Sequence, residues 1–162
     1  MEKKVCKTNE EFWSEVSKMW NWEKNEEVGN NDGTNEPWKR FTRGSEKEIW
    51  LNCNKKDYHI YKIKCFRFSS GSRCLFCCSK LVHPLDSFGQ HIIDTYGDNG
   101  LDKYWDFSKN TLNPFELSKR CHKKVWIKCQ NKEYHESYEV RTDAFVRGYG
   151  CPYCSNSSEK NT

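Results

Sequence analysis

At 162 residues the chain has room for one domain or two small ones. Its hydrophobic share is only 35% while Phe, Trp and Tyr reach 15%, which excludes a broad aliphatic core and points to small cores closed by large rings and staples. Ten cysteines are the candidate staples, and a net charge of +4 is too small by itself to announce a nucleic-acid partner.

In chain order, the N-terminal MEKKVCKTNEEFW lacks the apolar run of a signal peptide, and no transmembrane stretch follows. An intracellular, cytoplasmic setting is expected (host cytoplasm if the source is viral), where thiols stay reduced and bind Zn²⁺. Thr8-x-x-Glu11 is a capping-box signature, and Phe12, Val16, Met19 and Trp20 follow at helical spacing, predicting a helix over 9–20. Residues 1–19 therefore read as an N-terminal helix and 20–79 as a first zinc unit. Within that unit the polar EEVGNNDGTNE reads as a solvated loop, and 48–53 with 59–68 as a short hairpin. Residues 80–104 read as a helical connector, in which Asp86 or Ser87 caps a helix carrying Phe88, Ile92 and Tyr96, stopped by Gly97. A second zinc unit spans 105–155, with a helix start at Asn113-Pro-Phe-Glu116 and a hairpin from 124–129 and 135–146. Residues 156–162 read as a flexible tail.

An internal repeat carries the division. E48-I-W-L-N-C53-N-K-K-D-Y-H59 aligns with K124-V-W-I-K-C129-Q-N-K-E-Y-H135 at a constant offset of 76. Gly71-x-x-Cys74-x-x-Cys77 then aligns with Gly148-x-x-Cys151-x-x-Cys154 at an offset of 77. Upstream, Trp20-Asn-Trp-Glu-Lys-Asn25 matches Trp105-Asp-Phe-Ser-Lys-Asn110, and Pro37-Trp38 matches Pro114-Phe115.

Structural Zn²⁺ takes four nitrogen and sulfur ligands in a tetrahedron. A Cys-x-x-Cys turn brings two thiolates to one ion, and a hairpin of about 15 residues separates it from a Cys-x5-His pair in each copy. The ligands assigned are Cys53, His59, Cys74 and Cys77 in the first unit and Cys129, His135, Cys151 and Cys154 in the second. Two structural Zn²⁺ per chain follow. Cys6, Cys65, Cys78 and Cys121 have no equivalents in the other copy and read as buried or idle thiols. His83, His91 and His122 read as hydrogen-bonded residues rather than ligands.

The second unit's K-V-W-I-K-C, its His and R-G-Y-G-C-P-Y-C closely resemble the zinc-ribbon or treble-clef zinc-finger repeats of bacterial, phage and large-virus proteins. Trp105, Asn110, Pro114, Val125, Trp126, Cys129, His135, Gly148, Cys151, Pro152 and Cys154 carry the likeness over about 50 residues. The first unit resembles the family more loosely, with Cys-Leu-Phe-Cys in place of Cys-Pro-Tyr-Cys. The resemblance implies a treble clef of knuckle, hairpin and a helix beginning at the second Cys pair. It also implies an association with DNA-processing proteins. The fold expected is thus a small α+β, zinc-stabilised chain of two tandem treble-clef-like units, each a short hairpin plus helix. The sequence given ends eight residues after Cys154, so the last helix is expected to be short or absent.

Charge distribution bears on function. Residues 46–78 carry seven Lys/Arg against three Asp/Glu and 119–154 carry eight against four, so each zinc segment is +4, while 79–118 sum to −3. Lys55, Lys56, Lys62, Lys64, Arg67 and Arg73 in the first unit, and Lys123, Lys124, Lys128, Lys132, Arg141 and Arg147 in the second, are candidate phosphate contacts. Trp50 and Trp126 either cap the zinc cores, the favoured reading, or stack on bases. The expectation is a non-enzymatic DNA-binding protein. The alternative is an inhibitory module of phage or mobile-element type that binds a host or defence protein through the helices at 9–20 and 86–96. No His-Asn-His arrangement supports a nuclease, no small-molecule substrate or membrane association is evident, and a nuclease accessory is the remaining catalytic option.

Overall fold

The Thr8 hydroxyl accepts the Glu11 N–H at 3.1 Å, and the Glu11 carboxylate reaches back to the Lys7 N–H at 2.8 Å. This double cap starts α1 (Asn9–Ser17) in the computed structural model, which describes residues 3–157. The helix ends earlier than the 9–20 expected, because Trp20 leaves it to form an extended bridge with Leu51. Asn21 then caps α2 (Trp22–Glu27) by accepting the Lys24 N–H at 2.8 Å. That short helix has no apolar stripe, which is why hydrophobic periodicity passed over it.

β1 (Glu48–Asn52) pairs antiparallel with β2 (Ile60–Lys64), Ile49 opposite Ile63 and Trp50 opposite Lys62. Alternation sends Ile49, Leu51, Tyr61 and Ile63 into a core shared with Phe12, Val16 and Trp20, and turns Trp50, Lys62 and Lys64 to the other face. Directly after β2 the chain winds into α3 (Cys65–Ser69). Residues Met1–Leu81 form one unit.

Residues Val82–Thr162 form the other unit. Ser87 caps α4 (Phe88–Tyr96) by accepting the Gln90 N–H at 3.1 Å, and Gly97 at φ 92° ends it. α5 (Gly100–Tyr104) follows, and the Asn113-Pro signal produces only a 3₁₀ turn at Pro114–Glu116. β3 (Lys124–Ile127) pairs antiparallel with β4 (Tyr138–Arg141), followed by α6 (Thr142–Val146) and α7 (Pro152–Ser157). Phe88 and Ile92 of the segment read as a connector sit in one core with Trp105, Val125, Ile127 and Phe145. That segment is therefore part of the second unit. Of the tail read at 156–162, residues 156 and 157 are the last of α7, and 158–162 lie outside the described residues.

Both strands expected after the histidines prove shorter than 59–68 and 135–146. Cys65, Phe68 and Ser69 in α3, and Thr142 and Phe145 in α6, are buried at helical rather than alternating spacing. Runs this short satisfy either period, so sequence pattern alone did not separate them. In each unit the buried Phe of this short helix packs edge-on against a Phe upstream, Phe12 with Phe68 at 5.9 Å and Phe88 with Phe145 at 5.6 Å. No described helix is long and apolar enough to cross a membrane.

Candidate metal centres

In the first unit the Cys53 N–H bonds the His59 carbonyl at 2.9 Å and the His59 N–H bonds the Lys56 carbonyl at 3.1 Å, which folds the five intervening residues into a knuckle. The Cys74–Cys77 turn meets it from the other end of the unit. Two sets of four donors assemble among the described residues, Cys53, His59, Cys74 and Cys77, and Cys129, His135, Cys151 and Cys154, each with its ligand atoms within 4.8 Å of one another.

The spacing decides what such a set can hold. Metal–ligand bonds of about 2.3 Å to sulfur and about 2.05 Å to nitrogen give tetrahedron edges of about 3.8 Å (S–S) and about 3.6 Å (S–N). In the first set Cys53 Sγ lies 3.5 Å from Cys77 Sγ, and His59 Nδ1 lies 3.5 Å from Cys74 Sγ and 3.5 Å from Cys77 Sγ. In the second, His135 Nδ1 lies 3.5, 3.7 and 3.4 Å from the sulfurs of Cys129, Cys151 and Cys154, and Cys129 Sγ lies 3.5 Å from Cys154 Sγ. These separations suit one zinc ion per set and are far too long for a disulfide, and all ten cysteines are free. Two Cys3His sites thus fit two structural zinc ions, with Nδ1 as the imidazole donor and a net charge of about −1 at each.

Electrostatics favour staged ionisation. Burial pushes the Cys129 thiol up, but the Lys132 and Asn131 amides, His135 and Cys154 together bring it down to about 6. Cys53 is lowered likewise, burial being outweighed by the Lys55 and Lys56 amides and the neighbouring thiols. Burial raises Cys74 and Cys151, and burial together with Cys53 and Cys74 pushes Cys77 to about 12. Cys53 and Cys129 thus ionise readily, while Cys74, Cys77 and Cys151 require the charge of the metal.

Asparagine fixes the strand that carries each first cysteine. Asn25 is fully buried, its Oδ1 accepting the Trp50 N–H at 3.0 Å and its Nδ2 donating to the Trp50 carbonyl at 2.7 Å. Asn110 makes the same pair with Trp126, at 2.8 and 2.7 Å. Each amide stands in for a neighbouring strand, a role the aligned Asn25 and Asn110 did not disclose in sequence. Asp106 was also missed. It accepts Ser108 N–H at 3.0 Å and Lys109 N–H at 3.2 Å, and takes the Ser137 hydroxyl two residues beyond the ligand His135. The hydroxyls of Ser108 and Ser137 hold its carboxyl at about 2.

The candidate phosphate contacts divide. Lys55, Lys56, Lys64, Arg67, Lys123 and Lys132 are exposed. Lys62 pairs with Glu48 at 3.0 Å and Lys124 with Glu139 at 3.5 Å, surface pairs worth about 0–1 kcal/mol that a phosphate can replace. Arg73 is committed to the fold, its guanidinium 3.8 Å from the Phe68 ring centroid and bonded to the carbonyls of Phe68, Ser72 and Lys4. Arg141 is held by Asp143 through two bonds at 2.9 and 2.7 Å, Arg147 shares that carboxylate at 3.1 Å, and Lys128 donates to the Asp102 carbonyl at 3.0 Å. Trp50 and Trp126 do not cap the cores as expected. They stand half-buried on the outer hairpin faces, with Lys62 Nζ 5.9 Å from the Trp50 ring and Lys109 Nζ 4.8 Å from that of Trp126. Among the other candidates, His83 accepts the Leu85 N–H at 3.2 Å, His122 lies 3.8 Å from Asp143, and Cys6 and Cys65 are buried.

The hairpins, the donor sets and the turn-borne second cysteine pairs define a small zinc-stapled α+β protein. Residues 101–157 match the family described as "Probable Treble clef zinc finger domain", which covers α5 to α7 and all four donors of the second set. No curated protein and no solved structure gives a match to the chain.

Proposed function

We propose that the chain is a non-enzymatic tandem of two treble-clef zinc modules that binds nucleic acid, DNA in the first instance, through its outer hairpin faces. The observation that carries the reading is the half-exposed tryptophan with a lysine over its ring in each unit, Trp50 with Lys62 and Trp126 with Lys109. Exposed Lys55, Lys56, Lys64 and Arg67 flank the first ring in the chain, and Lys123, Lys124 and Lys132 the second. Rings for stacking and cations for phosphates are the two components of sequence-tolerant single-strand binding. With all eight donors occupied in folding, no residue is assigned a catalytic role.

A salt titration tests this. With about four to six phosphates neutralised, the slope of log K against log salt is about −3 to −5, and no binding to duplex or single strands at low salt overturns the reading.

A second reading, a host or defence protein as partner, has its own supporting observation. A groove of about 310 Å³ in the first unit is walled by Trp13 and Trp38; Glu36 on its rim pairs with Lys39 at 2.9 Å, and Glu10 and the rings are left for a basic side chain. Capture of one protein from nuclease-treated lysate, with no DNA binding at low salt, would favour it.

A further inference from the structure

Beside the second metal centre lies a cavity of about 200 Å³, walled by Tyr96, Tyr104, Tyr138, Phe145 and Tyr149 and closed by the backbone of Gly148–Cys151. We propose that it receives a single unpaired nucleobase. The inference rests on the nucleic-acid reading above and narrows it to single strands.

Size comes first. Pockets for drug-sized ligands run to about 300–1,000 Å³, so this one suits a single ring system. Tyr96 and Tyr104 stack face to face at 4.1 Å and 27°, presenting a flat wall, and Tyr149, 64% exposed, stands at the mouth as a second platform.

The polar groups are those a base edge requires. Tyr138 is 6% exposed, and its hydroxyl has no hydrogen-bond partner among the described residues, yet the oxygen is not among the sealed, unsatisfied atoms. The oxygen therefore keeps access to solvent, and Tyr138 lines the cavity. Hydroxyls in such positions find partners as a rule, and none of the described residues supplies one here, which leaves the site to water or a ligand. The amide nitrogens of Gln130 and Asn131 donate elsewhere, to the Lys103 carbonyl at 2.5 Å and to Cys154 Sγ at 3.5 Å, which leaves their oxygens as acceptors at the wall.

Charge around the cavity is mixed. No carboxylate lines the cavity, while Lys128 does, and the Arg147 guanidinium sits 5.9 Å from the Tyr149 ring centroid. Cys129 and Cys151 of the anionic metal centre also line the cavity, so charge alone does not select the occupant; the flat tyrosine wall favours a planar ring, and Lys128 and Arg147 stand near for its phosphate.

The test uses the zinc-loaded full chain and three dye-labelled probes of equal length: a single-stranded oligonucleotide, the same strand with abasic sites, and a duplex. The intact single strand is expected to bind about 10-fold or more tighter than the abasic strand, the worth of stacking one base. Tyr149→Ala should reduce that advantage without changing abasic-strand affinity or zinc content, and Tyr149→Phe should keep it; an undiminished advantage in Tyr149→Ala overturns the pocket and leaves stacking at Trp50 and Trp126 standing. Equal binding of intact and abasic strands by the unaltered protein overturns the base pocket and stacking at Trp50 and Trp126 alike, leaving only the phosphate contacts of the nucleic-acid reading. Failure to bind any probe at low salt overturns both.

Discussion

Asn25 and Asn110 show why a single residue type recurs at the same place in both units. A side chain that must accept from one backbone N–H and donate to the carbonyl of the same residue has to be an amide. Asn25→Asp keeps the acceptor, removes the donor and buries a charge beside the Trp50 carbonyl. It is expected to lower stability by about 2–4 kcal/mol in urea unfolding at fixed free zinc, and Asn110→Asp by less, because Asn110 is only partly buried. Asp106 acts at the same scale with a charge. Its folded carboxyl stands near 2, below the ordinary value of about 3.9, so its contribution is complete above about pH 4 and is lost only as pH falls toward 2. Asp106→Asn should therefore cost about 2 kcal/mol, by a margin that stays constant between pH 8 and pH 5. A cost below about 0.5 kcal/mol throughout that range would mean the Ser137 and Ser108 bonds do not matter. Neither role was visible in sequence, since the asparagines depend on strand backbone 16 and 25 residues away and Asp106 on the Ser137 hydroxyl 31 residues away.

Among the elements, the caps and the hairpin cores were legible and the element ends were not. Thr8, Ser87 and Asn113 each cap through short-range chemistry that a few adjacent letters encode. The turn from strand to helix at Cys65 and at Thr142 was hidden because burial on one side, not local pattern, selects it. Gly71 and Gly148, aligned as repeat partners, end these short helices at φ 99° and 101°. A Cβ at Gly71 would stand 2.8 Å from Lys3 Cβ, while nothing lies within 4 Å of one at Gly148. Gly148→Ala should cost about 1 kcal/mol, the strain of a left-handed alanine, and Gly71→Ala more, because Lys3 must also move. Thermal unfolding of the two variants, each with zinc bound, compares the costs; equal shifts would remove the Lys3 contact from the explanation.

For the whole molecule, the donor letters were enough to place both metal centres, because ligand chemistry and spacing survive translation into sequence better than packing does. Unit limits were harder to read. A helix between two cysteine-rich segments looks like a connector until its buried Phe88 and Ile92 are seen in the second core. Each unit has its own core and its own four donors, so loss of one centre should leave the other intact. Cys151→Ser is expected to yield a chain with one zinc whose first hairpin, followed by amide exchange, keeps its protection. The most direct measurement is the metal content of the purified protein by native mass spectrometry. Two zinc ions per chain are expected, both released by strong chelation with loss of structure in both units; a count of one or none at full occupancy would contradict the assignment of Cys53, His59, Cys74, Cys77 and Cys129, His135, Cys151, Cys154 as two structural centres.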